Sequence, residues 1–186
     1  MHRVFIAINL PEEVKKELVN RQATWPELPV RWTKRENLHI TLVFLGYLKD
    51  EEVFEVCEIT KEIASKHDSF AINLNKVCYG PPKKIPPRMV WVEGEKSPEV
   101  AALKNDLEGS LLERVNFHRE RRPFAPHINL GRIRAWEWRR IEAEERPKVE
   151  EEINLSFPVD SIEVMESTLK RGGAEYAVLE SCPFKL

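Results

Sequence analysis

The spacing of hydrophobic and polar positions changes several times along the chain, and each change predicts a different element. Residues 4–10 (VFIAINL) are almost continuously apolar, as in a mostly buried strand. Pro11, Glu12 and Glu13 then open a helix whose Val14, Leu18 and Val19 face inward. Residues 30–32 (VRW) form a short extended piece, residues 34–37 a polar turn, and residues 38–45 a second strong strand that ends at Gly46. Asp50 is placed to cap a helix carrying a broad apolar stripe of Val53, Phe54, Val56, Cys57, Ile59 and Ile63. Phe70, Ile72 and Leu74 then alternate with polar residues, which predicts a half-buried strand.

The segment GPPKKIPP at 80–87 is a loop, because its prolines cannot donate to a ladder of hydrogen bonds. Residues 89–92 return to a short strand. Ser97, Pro98 and Glu99 begin a helix with Val100, Leu103, Leu107 and Leu111 on one side. An arginine-rich loop (RERRPFAP) leads into a strand at 127–130, and the tail supplies strands at 153–159, 162–169 and 176–179, the last two joined through Gly172 and Gly173. Strands and helices alternate, but several neighbours are antiparallel, so the fold class is α+β rather than a doubly wound parallel sheet. The chain also echoes itself: strand, helix and a strand bearing HITL at 39–42, then strand, helix and a strand bearing HINL at 127–130. Two similar lobes facing each other within one domain, 1–186, are expected.

In a strand, residues two apart share a face. His39 therefore projects with Thr41, and His127 with Asn129, while Ile40, Leu42, Ile128 and Leu130 turn into the core. Two imidazoles on rigid strands, each beside a hydrogen-bonding side chain, make a suitable setting for a phosphate. With an ordinary pKa of about 6.5, one imidazole can be neutral while another is protonated, so the pair can divide base and acid work. Thr41, Asn129 and Arg132 are the candidates for stabilising charge on phosphate oxygens. His2, His67 and His118 lack this strand context and are read as surface residues. The three cysteines lie far apart without metal-ligand spacing, so neither a zinc site nor a disulfide framework is expected, and no cofactor motif is present. No apolar run is long enough for a membrane span, and a cytoplasmic monomer is expected.

A formal net charge of −2 argues against a protein that coats nucleic acid through its overall field. Residues 113–140, however, hold eight arginines against three glutamates, and the second histidine motif lies inside that stretch.

Taken together, FIAINLPEEV, VRWTKRENLHITLVFLG, PPRMVWV, RPFAPHINLGR and STLKRGGAEYAVL resemble the 2H phosphoesterase superfamily, specifically the RNA 2′,3′-cyclic phosphodiesterases once named 2′-5′ RNA ligases. The resemblance runs nearly end to end. It implies a bilobal α+β fold with antiparallel sheets around a central cleft and helices outside. It also implies metal-independent opening of RNA 2′,3′-cyclic phosphate ends to 2′-phosphates, with 2′-5′ ligation as a side activity. His39 would donate a proton to the leaving 3′ oxygen and His127 would activate water. Thr41 matches the motif threonine, Arg132 the arginine after the second motif, and Phe44 the aromatic position behind the first; Arg122, Arg31 and Trp32 are weaker candidates for contact with RNA. Asn129 departs from the usual threonine or serine. That departure and the basic stretch keep open an RNA-end binder with little catalysis, and the resemblance to related 2H enzymes keeps open action on a small nucleotide such as ADP-ribose 1″,2″-cyclic phosphate.

Overall fold

A computed structural model describes residues 1–120 and 124–185. Among these residues nine strands join in one antiparallel sheet: β1 (His2–Asn9), β2 (Val30–Trp32), β3 (His39–Leu48), β4 (Phe70–Gly80), β5 (Met89–Gly94), β6 (His127–Ile133), β7 (Glu150–Val159), β8 (Ser161–Lys170) and β9 (Gly173–Pro183). Their order across the sheet is β7-β4-β5-β6-β3-β1-β8-β9, with β2 added alongside β6. The centre of that order is thin, for β3 and β6 meet through a single pair, Ile40 with Ile128. The sheet therefore consists of a five-stranded half (β7, β4, β5, β6 and β2) and a four-stranded half (β3, β1, β8 and β9), joined where the two motifs lie.

One face of the sheet is apolar and covered by helices α1 (Glu12–Gln22), α2 (Asp50–Ala64) and α3 (Pro98–Arg114). Alternation sends Ile6, Ile8, Ile40, Leu42, Val90, Val92, Ile128 and Leu130 into that core, where Leu18, Ile59, Leu103, Leu107 and Leu111 meet them. The opposite face carries a small separate cluster of Phe5, Ala7 and Met165, with Tyr176 packed on it. No described helix is long and apolar enough to cross a membrane.

Most predicted elements are present, and the differences have physical causes. Ser97 caps α3, its hydroxyl accepting from the Val100 N–H at 3.3 Å. Asp50 does not cap α2; it is the first helical residue, while Lys49 takes the cap position and its N–H donates to Glu52 at 2.8 Å. Phe54 points away from the core and is exposed, which narrows the stripe of α2 to Val56, Ile59 and Ile63, with Val53 and Cys57 at its edges. Gly46 does not end β3. Its φ of 81° makes it a hinge within the strand, and the register with β1 skips Leu45 before resuming.

Two further bulges fall inside the motifs. Ile6 pairs with Val43 but Ala7 with Thr41, which leaves Leu42 out of register; Val90 pairs with Gly131 but Trp91 with Asn129, which leaves Leu130 out. A bulged residue withdraws from the ladder and needs another partner for its carbonyl. The Lys104 ammonium, on α3, donates to Leu42 O at 2.9 Å. The Gln22 amide, on α1, donates to Leu130 O at 3.1 Å and to Thr33 O at 2.9 Å. Each helix thus fastens the motif strand of the opposite half.

Candidate active site

The two motif strands lie side by side, so their alternating residues converge on the face that the helices leave uncovered. His39, Thr41, His127 and Asn129 line a cleft of ≈ 230 Å³ there, together with Thr33, Asn37, Met89, Trp91 and Tyr176. A larger open hollow of ≈ 550 Å³ near Asp68, Asp160 and Lys185 has no imidazole pair and belongs to a different edge of the molecule.

His39 is tied at both nitrogens. Its Nδ1 lies 2.7 Å from Asn37 O, a carbonyl that can only accept, so Nδ1 carries the proton. Nε2 lies 2.9 Å from Thr41 Oγ1 and accepts from that hydroxyl when the ring is neutral. Phe5 packs on the ring at 5.0 Å and Tyr176 meets it edge-on at 5.3 Å. Burial among these groups lowers the His39 pKa below its ordinary value, opposed by the bond to Asn37 and assisted by positive charge on Lys15 and His127.

His127 follows the same plan with one difference. Its Nδ1–H donates to Ala125 O at 2.9 Å, and the ring stacks on Trp91, centroids 3.9 Å apart and planes 23° apart. Nε2 has no such bond among the described residues and faces the cleft lined by Thr41, Asn129 and Tyr176. The Asn129 carbonyl oxygen accepts from the Gly131 N–H at 3.1 Å, a bond that leaves its NH₂ donors uncommitted among the described residues. Burial raises the Tyr176 pKa, so its hydroxyl remains a donor at neutral pH, although Arg3 and Arg132 pull the other way.

Of the residues singled out in the sequence, His39, Thr41, His127 and Asn129 are brought together. Arg132 is exposed beside Arg31 on the neighbouring strand, close enough to influence Tyr176 without lining the cleft. Phe44 lies farther along β3, half exposed, with the Arg3 guanidinium 5.0 Å above its ring. Trp32 packs against the core, and Arg122 lies outside the described residues. His2 stands in β1 itself, bonded to Glu166 at 2.7 Å and Asp50 at 2.8 Å, and those carboxylates raise its pKa. Thr33, Asn37, Met89, Trp91 and Tyr176 are the cleft residues that pattern reasoning missed. The alternation of Tyr176 after the Gly172–Gly173 turn placed it on a strand, but only strand pairing puts it opposite His39. The cysteines take no part: burial pushes the Cys78 and Cys182 thiols up to about 12 and raises Cys57.

Residues 8–91 match the family model described as LigT like Phosphoesterase. An RNA 2′,3′-cyclic phosphodiesterase of Thermotoga maritima is 30% identical over 98% of this chain and 96% of its own. One from Thermus thermophilus is 30% identical over 96% of this chain and 88% of its own. A crystal structure of a Thermus thermophilus protein superposes with a TM-score of 0.86 at 27% identity, covering 98% of both chains. Escherichia coli LigT complexed with 3′-AMP superposes with a TM-score of 0.80 at 26% identity, covering 100% of this chain and 99% of that one.

Proposed function

Because the chain belongs to the LigT-like phosphoesterases, we propose that it opens 2′,3′-cyclic phosphate ends of RNA to 2′-phosphates, using His39 and His127 as an acid–base pair. The observation that carries this reading is the convergence of two imidazoles, from matching strands of the two halves, on one cleft with hydroxyl and amide donors beside them.

In the proposed reaction the cyclic phosphate lies between the rings. His127 Nε2 takes a proton from water, the water oxygen bonds to phosphorus, and the bond from phosphorus to O3′ breaks. His39 Nε2–H protonates O3′, and a 2′-phosphate leaves. Each proton transfer is worth ~10²–10⁴-fold in rate. The Thr41 and Tyr176 hydroxyls, the Asn129 NH₂ group and Arg132 are the donors for the non-bridging oxygens, where charge builds up. The lowered pKa of His39 suits it to donation, since a weaker hold on the proton makes a stronger acid. Negative charge on the bound phosphate offsets the burial and loads that proton. A 5′-hydroxyl in the place of water gives a 2′-5′ linkage, the ligation that the family resemblance implies.

The test is incubation with an RNA oligonucleotide ending in a 2′,3′-cyclic phosphate, resolving 2′- from 3′-phosphate products. Clean 2′-phosphate is expected, with His39→Ala and His127→Ala each at least ~100-fold slower and Thr41→Ala retaining measurable turnover. Full activity in either histidine variant would sink the acid–base assignment. Binding of RNA ends without turnover would move the function to end recognition, and preference for a small cyclic nucleotide in competition would replace the substrate.

A further inference from the structure

The two histidines are tied differently. His39 is bonded at both nitrogens and enclosed by Phe5 and Tyr176, whereas His127 has, among the described residues, the single bond from Nδ1 to Ala125 O. One bond leaves the His127 ring free to turn about it; what removes that freedom is the face of Trp91, 3.9 Å away and nearly parallel. The indole is fixed in turn from its other side. Gly80 ends β4, Trp91 stands on β5 and His127 on β6, three neighbouring strands of the sheet. A Cβ built at Gly80 would lie 2.2 Å from Trp91 Cδ2 and 2.5 Å from Cγ, so the ring rests directly on backbone that no larger residue can supply.

Hydrogen bonding did not choose this orientation. Trp91 Nε1 is buried without a partner among the described residues, an arrangement that usually has a cost and an explanation. The contact the indole does make is the stack of its face on the His127 ring. That face is negative, and a cation within about 6 Å of it is stabilised.

We infer that Trp91 is the positioning residue of His127: its indole, seated on Gly80, fixes the imidazole plane and favours the imidazolium that forms when His127 accepts a proton from water. The inference rests on the two-histidine reading above. It also gives the two halves different support for equivalent histidines, since Phe5 lies at 5.0 Å from His39 and tilted by 34°, where Trp91 is closer and flatter against His127.

Three variants test it. Trp91→Leu keeps apolar bulk but loses the π face, Trp91→Phe keeps a weaker face, and Gly80→Ala leaves both rings chemically intact while pushing the indole from behind. Trp91→Leu is expected to lower kcat about tenfold with KM within about twofold, Gly80→Ala to match it, and Trp91→Phe to lose less. A substrate-free readout accompanies these. Subtracting the emission of Trp91→Phe from that of the wild type isolates Trp91, whose fluorescence is expected to fall as His127 protonates, and this change is expected to vanish in His127→Gln.

Wild-type kcat in Trp91→Leu, equal losses in the Phe and Leu variants, or a pH-dependent emission that survives in His127→Gln would overturn the inference. Should Trp91→Leu fail to fold, Trp91→Phe, Gly80→Ala and the emission titration decide it. A wild-type protein that opens no cyclic end would refute the proposed reaction, whereas absence of the emission change alone would refute the stack.

Discussion

Glu108 is the best place to learn how much the scaffold under the cleft contributes. Its side chain is 2% exposed and bonded by Lys104, whose side chain is 10% exposed, and by Arg119 Nε at 2.6 Å. In Glu108→Ala the Lys104 ammonium would remain buried with only Leu42 O and the ring of Phe124, 5.2 Å away, as partners among the described residues. Removing one member of a buried pair costs about 3–5 kcal/mol. The Arg119 contact adds little to this, because that guanidinium is about half exposed. For a chain of 186 residues, at about 2–4 °C per kcal/mol, the melting temperature should fall by roughly 6–20 °C. The double variant Lys104→Met with Glu108→Leu removes both charges and keeps the volume. It leaves Leu42 O without its donor, a loss of about 1–3 kcal/mol, so it should be less destabilised than the single variant. Urea titration followed by circular dichroism would measure both, with turnover recorded at a temperature where each is folded. A Glu108→Ala protein within about 1 kcal/mol of wild type, or a double variant as unstable as the single one, would refute the assignment of a buried, mutually dependent pair.

Three further outcomes are expected. The folded-state pKa of His39 is lowered, so its stabilising contribution is complete above the unfolded value of about 6.5 and is lost as pH falls from there through the lowered folded value, because the unfolded chain takes up the proton first. Stability curves between pH 8 and pH 5 should therefore fall more steeply for wild type than for His39→Gln, and parallel curves would contradict this. Gly131→Ala should cost about 1–3 kcal/mol in thermal denaturation, since its Cβ would lie 2.3 Å from Val30 Cγ1 and 2.9 Å from Trp32 Cε3; an unchanged melting temperature would show that β2 yields freely. Turnover should persist in EDTA, because no group of three His, Cys, Asp or Glu among the described residues is placed to hold a metal ion; loss restored by a divalent ion would reveal a missed site.

The elements near the cleft were legible because their signals are local. Alternation placed His39 with Thr41 and His127 with Asn129, and Ser97 announced α3. What was not legible depends on pairing. The bulge at Leu42 carries no glycine or proline to mark it, and at Leu130 the neighbouring Gly131 marks a close approach without fixing the register, so only the pairing reveals either bulge. Lys104 and Glu108 occupy the same helical stripe as Leu107 and Leu111, where a polar residue at the edge of an apolar face ordinarily reaches solvent; here Leu42 of β3, Arg119 and Phe124 lie against them. Tyr176 and Trp91 could be assigned to strands, but which face they share with the histidines follows from neighbours more than eighty residues apart in the one case and more than thirty in the other.

The crossed fastening of α1 to β6 and α3 to β3 bears on how such a protein could have arisen from a shorter one. A solitary half, made of one motif strand and its own helix, would lack the side-chain donor that its bulge carbonyl now uses, because that donor belongs to the other half. Water would take that place, unless two copies lent each other their helices. Two halves exchanging helices as a dimer would restore both bonds, and a single chain holding both halves makes the same exchange intramolecular.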